Sequence, residues 1–256
     1  MATQYKGYAG KVLDVNLTNG NIGEYPLTDA DREKFLGGRF LSTKILWDQL
    51  PPGTDPLSPA NLLVVMTSPM TGTGAPSSSR YDISAKSPQT GAIGHSNSGG
   101  HFGMHLKRAG WDGIVVRGKA DKPVYIDINE DDVQIKPADH MWGKNTEETQ
   151  EALGKKGGKM VIGPAGENLV KYAAVVSQER VHGRTGMGAV MGSKNLKAIV
   201  TNGKKKIELA QPEKFRAGVK KWVKMLQKHP ATGDLCPRYG TAQFVNLLSA
   251  KNAMPT

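Results

Sequence analysis

Gly113-Ile-Val-Val-Arg-Gly-Lys-Ala-Asp-Lys-Pro-Val-Tyr-Ile-Asp-Ile-Asn129 decides the fold class, because it reads as two strands around a turn. Its β-branched runs suit a pleated surface, and Gly118 and Pro123 interrupt them. Downstream, a third strand is expected at Val133 to Ile135. Asn145-x-x-Glu148 forms a capping box for a short helix ending at Gly154. Met160-Val161-Ile162 is a buried strand that leads into Gly163-Pro-Ala-Gly166 and a glycine-rich region. Upstream, the same order is already present. Gly10 to Leu27 reads as a hairpin, with Asn19-Gly20 as a two-residue type I′ turn. Thr28-x-x-Asp31 starts a helix, Gly37-Gly38 breaks it, and a second helical segment through Ile45, Leu46 and Trp47 stops before Pro51-Pro52. Leu62 to Thr67 is a buried strand, followed by a long Gly/Ser/Pro-rich stretch. Strands, helix, apolar strand, glycine-rich loop: the repeated order predicts an α+β fold of two similar mixed-sheet halves related by a pseudo-twofold axis.

After residue 208 the character changes. Pro212 to Lys228 places Phe215, Val219, Trp222, Val223 and Leu226 at helical spacing, with Lys220, Lys221, Lys224 and Lys228 on other faces. The expected organisation is one domain over residues 1–208 and the beginning of a helical domain over residues 209–256, cut short after Met254-Pro255-Thr256.

Composition narrows the chemistry. The 256 residues are 38% apolar and 22% charged, which excludes a disordered chain. The longest apolar run, Leu62 to Met66, is far below the roughly 20 residues of a membrane helix, and the first ten residues lack a secretory pattern. A cytoplasmic protein without membrane attachment is therefore expected. A single cysteine excludes a disulfide framework and a self-contained iron–sulfur cluster. The net charge of +11 favours an anionic partner, yet 6% aromatic residues are too few for a surface that stacks single-stranded nucleic acid.

Two clusters concentrate the candidate chemistry. One runs from Thr71 to Arg80 and on through Gly94-His-Ser-Asn-Ser-Gly-Gly100; the other is Arg180-Val-His-Gly-Arg-Thr-Gly-Met-Gly-Ala-Val-Met-Gly-Ser-Lys194. Glycine lets main-chain N–H groups converge on an anion, and arginine adds a planar fork of donors matched to phosphate. Asn97 offers a carbonyl oxygen suited to a hard cation such as Mg2+ between phosphates. A structural reading also fits these residues, with glycines serving turns and close packing and arginines serving surface ion pairs. Other patterns are weaker. Gly113-x-x-x-x-Gly118-Lys119 has phosphate-loop spacing but falls on a strand and lacks the following hydroxyl residue, and His101-x-x-x-His105 has no third ligand in sight.

At these clusters the chain resembles the N-terminal domain of the aldehyde:ferredoxin oxidoreductase family, enzymes carrying tungsten or molybdenum on two pterins. The matching stretches are Gly10 to Gly20, Asp55-Pro-Leu-Ser-Pro59, Pro69-Met-Thr-Gly-Thr-Gly-Ala-Pro76 and Ser87-Pro-Gln-Thr-Gly91. They continue through Asn97-Ser-Gly-Gly100, Gly110-Trp-Asp-Gly113, Gly163-Pro-Ala-Gly-Glu-Asn-Leu169 and Gly188-Ala-Val-Met-Gly-Ser-Lys-Asn-Leu-Lys-Ala198. The resemblance implies a domain of two similar halves that seats the bis-pterin metal cofactor. Its cofactor contacts fall on Arg80, Asn97, Gly99, Arg180, Val181, Gly183 and Arg184. The Asn97 side chain and the Val181 carbonyl would hold Mg2+ bridging the pterin phosphates. Val181 and His182 stand where the family carries small residues.

The same resemblance implies an oxidoreductase that converts a small aldehyde to a carboxylic acid and passes two electrons to ferredoxin or an iron–sulfur subunit, within a homo- or hetero-oligomer. The family's [4Fe-4S] cluster and catalytic residues lie in further domains, so this chain alone is expected to be inactive. An aromatic acyl-CoA (benzoyl-CoA type) reductase within the same family is one alternative. A non-catalytic module for phosphate-bearing ligands is another.

Overall fold

The computed structural model describes residues 3–254. The chain divides into two units, Met1–Glu208 and Leu209–Thr256. The first unit opens with β1 (Val12–Asn16), β2 (Ile22–Glu24), α1 (Asp29–Phe35), α2 (Gly38–Gln49), β3 (Leu63–Met66), β4 (Tyr81–Lys86), β5 (Ile93–Ser98), α3 (Phe102–Ala109) and β6 (Gly113–Arg117). It continues with β7 (Val124–Asn129), β8 (Asp132–Pro137), α4 (Thr146–Ala152), β9 (Gly158–Val161), α5 (Pro164–Glu167), β10 (Val175–Ser177), β11 (Arg180–His182), α6 (Met187–Ser193) and β12 (Leu196–Asn202).

These strands build two six-stranded sheets, ordered β2-β1-β6-β3-β4-β5 and β8-β7-β12-β9-β10-β11. The second order is the first advanced by six strands. The pairing senses repeat as well: β1 with β6 and β7 with β12 are parallel, and every other pair is antiparallel. The halves predicted from sequence order are therefore duplicates in topology. Registers fix the residue equivalences. The row Leu13–Ile114–Val65–Ile83–Ser96 crosses the first sheet, and Ile126–Ile199–Met160–Ser177–Arg180 crosses the second.

The apolar strands are buried on both faces, which explains their unbroken hydrophobic runs. Leu13, Leu63, Val65, Ile114 and Val116 join one core, which also takes in Phe102 and Leu106 of α3, Met187 and Val190 of α6, and Ile126, Met160 and Ile199 of the second sheet. The alternate residues Val12, Val64, Met66 and Val115 pack on Leu41, Ile45 and Leu46 of α2 in a second core. The expected capping box of Asn145 with Glu148 forms, and Thr28 makes one with Asp31 at the expected start of α1.

Three local expectations change. Residues 113–129 do not make a hairpin: β6 belongs to the first sheet and β7 to the second, each beside a distant parallel partner. The β1–β2 connection is not a two-residue turn on Asn19-Gly20. Asn16 pairs with Asn21, the loop between them is wider, and Gly20 closes it at φ +74°. Finally, the two glycine-rich stretches are not only loops, since they contain the hairpins β4–β5 and β10–β11.

In the second unit, α7 (Pro212–Lys228) half-buries Phe215, Val219, Val223 and Leu226 and leaves its lysines exposed. Shorter helices follow at Cys236–Tyr239 and Val245–Ala250. No helix among the described residues is long and apolar enough to cross a membrane.

Candidate functional site

Strands β5 and β11 are the equivalent edge strands of the two sheets. Their edges meet. The His182 Nδ1–H donates to the Ser96 carbonyl at 2.9 Å, and the Arg184 main-chain N–H donates to Ser96 Oγ at 3.2 Å. Ser87 Oγ donates to the Thr185 carbonyl at 2.8 Å. Beside this seam a cavity of about 510 Å³ is lined by Arg80, Asn97, Gly99, Glu179, Arg180 and Val181, among others. One step along the registers from the Ser96–Arg180 row, Asn97 and Val181 occupy equivalent positions, and two steps further so do Gly99 and Gly183. The two candidate oxygen donors thus come from the same place in each half.

Five of the seven sequence-selected residues line this cavity; Gly183 and Arg184 follow Val181 in the chain without lining it. Arg80, Arg180 and Arg184 are exposed and form no ion pair among the described residues, which removes the surface-salt-bridge alternative. Arg80 instead donates from Nη1 to Asn97 Oδ1 at 2.8 Å. The glycines divide between the two readings. A Cβ on Gly192 of α6 would lie 1.9 Å from the Gly166 carbonyl oxygen, so that glycine serves helix packing. At Gly99 and Gly183 the nearest atom to a built Cβ is 3.6 Å away, which leaves their main chain open to a ligand.

Sequence reasoning gave no role to the polar residues behind the cavity. Asp82 is buried directly opposite Asn97 on the β4–β5 ladder. His182 is fully buried, with its ring edge against Tyr81 at a centroid distance of 4.7 Å. Among the described residues, Tyr81 Oη and His182 Nε2 have no hydrogen-bond partner. The only signal was Tyr81-Asp-Ile-Ser-Ala85, whose alternation fits a strand. Burial pushes the Tyr81 hydroxyl up and lowers the His182 pKa to about 4, against a smaller upward pull from the Ser96 hydrogen bond. The folded state therefore keeps His182 neutral where the unfolded chain takes up a proton. Its contribution is complete above about pH 6.5 and is lost as pH falls through 4, so stability should fall by about 3 kcal/mol more in wild type than in His182→Asn. Denaturant midpoints at pH 7 and pH 4 test this; parallel losses in both proteins would contradict it.

The weaker motifs find no site. Ile114 to Val116 are strand, as their residue types indicated, and no group of three metal-ligating side chains occurs among the described residues.

A family model described as "Aldehyde ferredoxin oxidoreductase, N-terminal domain" matches residues 12–203. The chain belongs to the aldehyde ferredoxin oxidoreductase family. Among its relatives in the family, the tungsten-containing aldehyde ferredoxin oxidoreductase of Pyrococcus abyssi (strain GE5 / Orsay) is 47% identical over 256 residues, covering 98% of this chain and 42% of the relative. An aliphatic sulfonate oxidoreductase, WOR-like subunit, of Pyrococcus furiosus is 37% identical over 241 residues, covering 86% of this chain and 38% of that protein. A solved structure, the active site complex BamBC of benzoyl coenzyme A reductase with 1,5-dienoyl-CoA, superposes with a TM-score of 0.85 at 38% identity, covering 87% of this chain and 35% of that one. The chain thus spans less than half the length of these relatives.

Proposed function

We propose that residues 1–208 seat a tungsten (or molybdenum) bis-pterin and that residues 209–256 begin a helical domain of the complete protein. The observation that carries this reading is the cavity at the β5–β11 seam, where duplicated positions bring Asn97 and Val181 together beside Arg80 and Arg180. The donor set fits the group. Unpaired guanidinium groups and open glycine main chain suit phosphate oxygens, and a side-chain amide oxygen with a main-chain carbonyl suits Mg2+ between them. Glu179 also lines the cavity, and its negative charge would favour a cation there.

In this assignment Arg80 and Arg180 bind the phosphates, with Gly99, Gly183 and Arg184 beside them. Asn97 Oδ1 and the Val181 carbonyl hold Mg2+. The seam bonds through Ser96 keep the two donors at a fixed spacing. When bound, the metallopterin supplies the two-electron redox chemistry by which an aldehyde and water become a carboxylic acid. The electron acceptor would be ferredoxin or an iron–sulfur subunit in a cytoplasmic oligomer. The lone Cys236 leaves the ligands of a [4Fe-4S] cluster to the rest of the complete protein.

The 0.85 TM-score to the benzoyl coenzyme A reductase complex supports a second reading, reduction of an aromatic acyl-CoA. Metal analysis and dye-linked assays of the complete protein, purified anaerobically, test both. The expected result is stoichiometric tungsten or molybdenum with aldehyde-dependent dye reduction. Acyl-CoA-dependent oxidation of reduced dye, with no response to aldehydes, would establish the second reading, and protein that takes up neither metal would overturn both.

A further inference from the structure

Of the two oxygen donors assigned above, only Asn97 presents its oxygen on a group that can turn over, because an amide offers O at one end and NH2 at the other. Its orientation must be fixed. Asn97 Nδ2 donates to the Tyr81 carbonyl at 3.1 Å and to Asp82 Oδ2 at 3.3 Å, and these acceptors leave Oδ1 to face Arg80 Nη1. Asp82 lies directly across the ladder from Asn97 and is 3% exposed. Its other oxygen accepts from Ser84 Oγ at 3.2 Å and lies 3.6 Å from His95 Nδ1, and no lysine or arginine pairs with it among the described residues. A carboxylate buried without an ammonium or guanidinium partner is destabilising, so its presence calls for a reason.

The second half supplies one. By the sheet registers the equivalent of Asp82 is Val176. There the donor is the main-chain carbonyl of Val181, which the backbone orients unaided. The half with a side-chain donor carries a carboxylate behind it; the half with a main-chain donor carries valine. We infer that Asp82 is a positioning residue, which turns the Asn97 amide oxygen toward the cation site. The inference rests on the assignment of Asn97 as a cation donor.

The test uses the complete protein freed of cofactor, titrated with Mn2+ in the presence of inorganic pyrophosphate and followed by electron paramagnetic resonance. Asp82→Asn keeps an acceptor for Nδ2 and should weaken Mn2+ by no more than about threefold, whereas Asp82→Val should weaken it about tenfold or more. Asn97→Asp carries an oxygen at either end and faces the Asp82 carboxylate as a like charge, so adding Asp82→Val to it should cause no loss of affinity. A merely structural role would carry the same loss into both backgrounds. That result, or wild-type affinity in Asp82→Val, would overturn the inference; if Asp82→Val does not fold, Asp82→Ala takes its place in both backgrounds. Asn97→Ala separates the two levels. If it binds Mn2+ as wild type does, the cation assignment fails; if it loses tenfold while Asp82→Val loses nothing, only the role of Asp82 fails.

Discussion

Lys194→Met is expected to lower the unfolding free energy by about 3 to 5 kcal/mol, measured by denaturant titration at pH 7. Lys194 follows α6 in the second half and is completely buried. Its Nζ donates to the carbonyls of Asn61 at 2.5 Å, Gly118 at 3.0 Å and Pro59 at 3.4 Å, all in or at the end of the first half. Burial lowers its pKa to about 8, so at pH 7 it is still an ammonium group with three donors for three acceptors. Methionine fills similar volume but donates nothing, and the carbonyls cannot be removed with the charge. Each acceptor left dry costs about 1 to 3 kcal/mol, which sets the scale. A loss below about 1 kcal/mol would show that the halves do not depend on this link.

Removing both Arg80 and Arg180 should weaken binding of inorganic pyrophosphate with Mn2+ about hundredfold or more, read by calorimetric titration of the cofactor-free protein. A hydrogen bond to a charged group is worth about 1.5 to 3 kcal/mol, and the double change removes at least two of them. Both guanidinium groups line the cavity without a carboxylate partner among the described residues, so substitution breaks no existing ion pair. The loss should therefore appear in binding and leave the melting temperature nearly unchanged. Affinity within threefold of wild type would remove the arginines from phosphate recognition.

The duplication was legible because each half announces itself through local chemistry: a turn-linked strand pair, a capping box, then an apolar run such as Leu62 to Met66 or Met160 to Ile162. The sheet partners were not legible. β6 and β7 look like a hairpin because they are near in sequence, yet each is held by a parallel neighbour about a hundred or about seventy residues away, β1 for β6 and β12 for β7. The edge strands β5 and β11 were hidden by composition, since Gly94, His95, Ser96, Asn97 and Arg180 read as loop residues. Such residues suit edges that meet each other through side chains, as His182 and Ser96 do, rather than by continuing the ladder.

The site divides in the same way. Arginine, glycine and asparagine point to phosphate and a hard cation by residue type, which marks the two clusters and Asn97, while the resemblance to the family singled out Arg80, Gly99, Arg180 and Val181 within them; these five line one cavity. Asp82, Ser96 and His182 could not be selected in this way, because a buried aspartate or histidine acquires meaning only from its neighbours across the sheet seam. The packing glycines show the reverse error. Gly192 looks like part of a phosphate cradle in sequence and is an interhelix contact in space.

The most direct test is a crystal structure of the complete protein loaded with its cofactor, with the metal located by its anomalous signal. The account predicts phosphate oxygens within hydrogen-bonding distance of both Arg80 and Arg180, with a cation joining Asn97 Oδ1 to the Val181 carbonyl. Phosphates bound elsewhere, with the seam between β5 and β11 filled only by water, would contradict it.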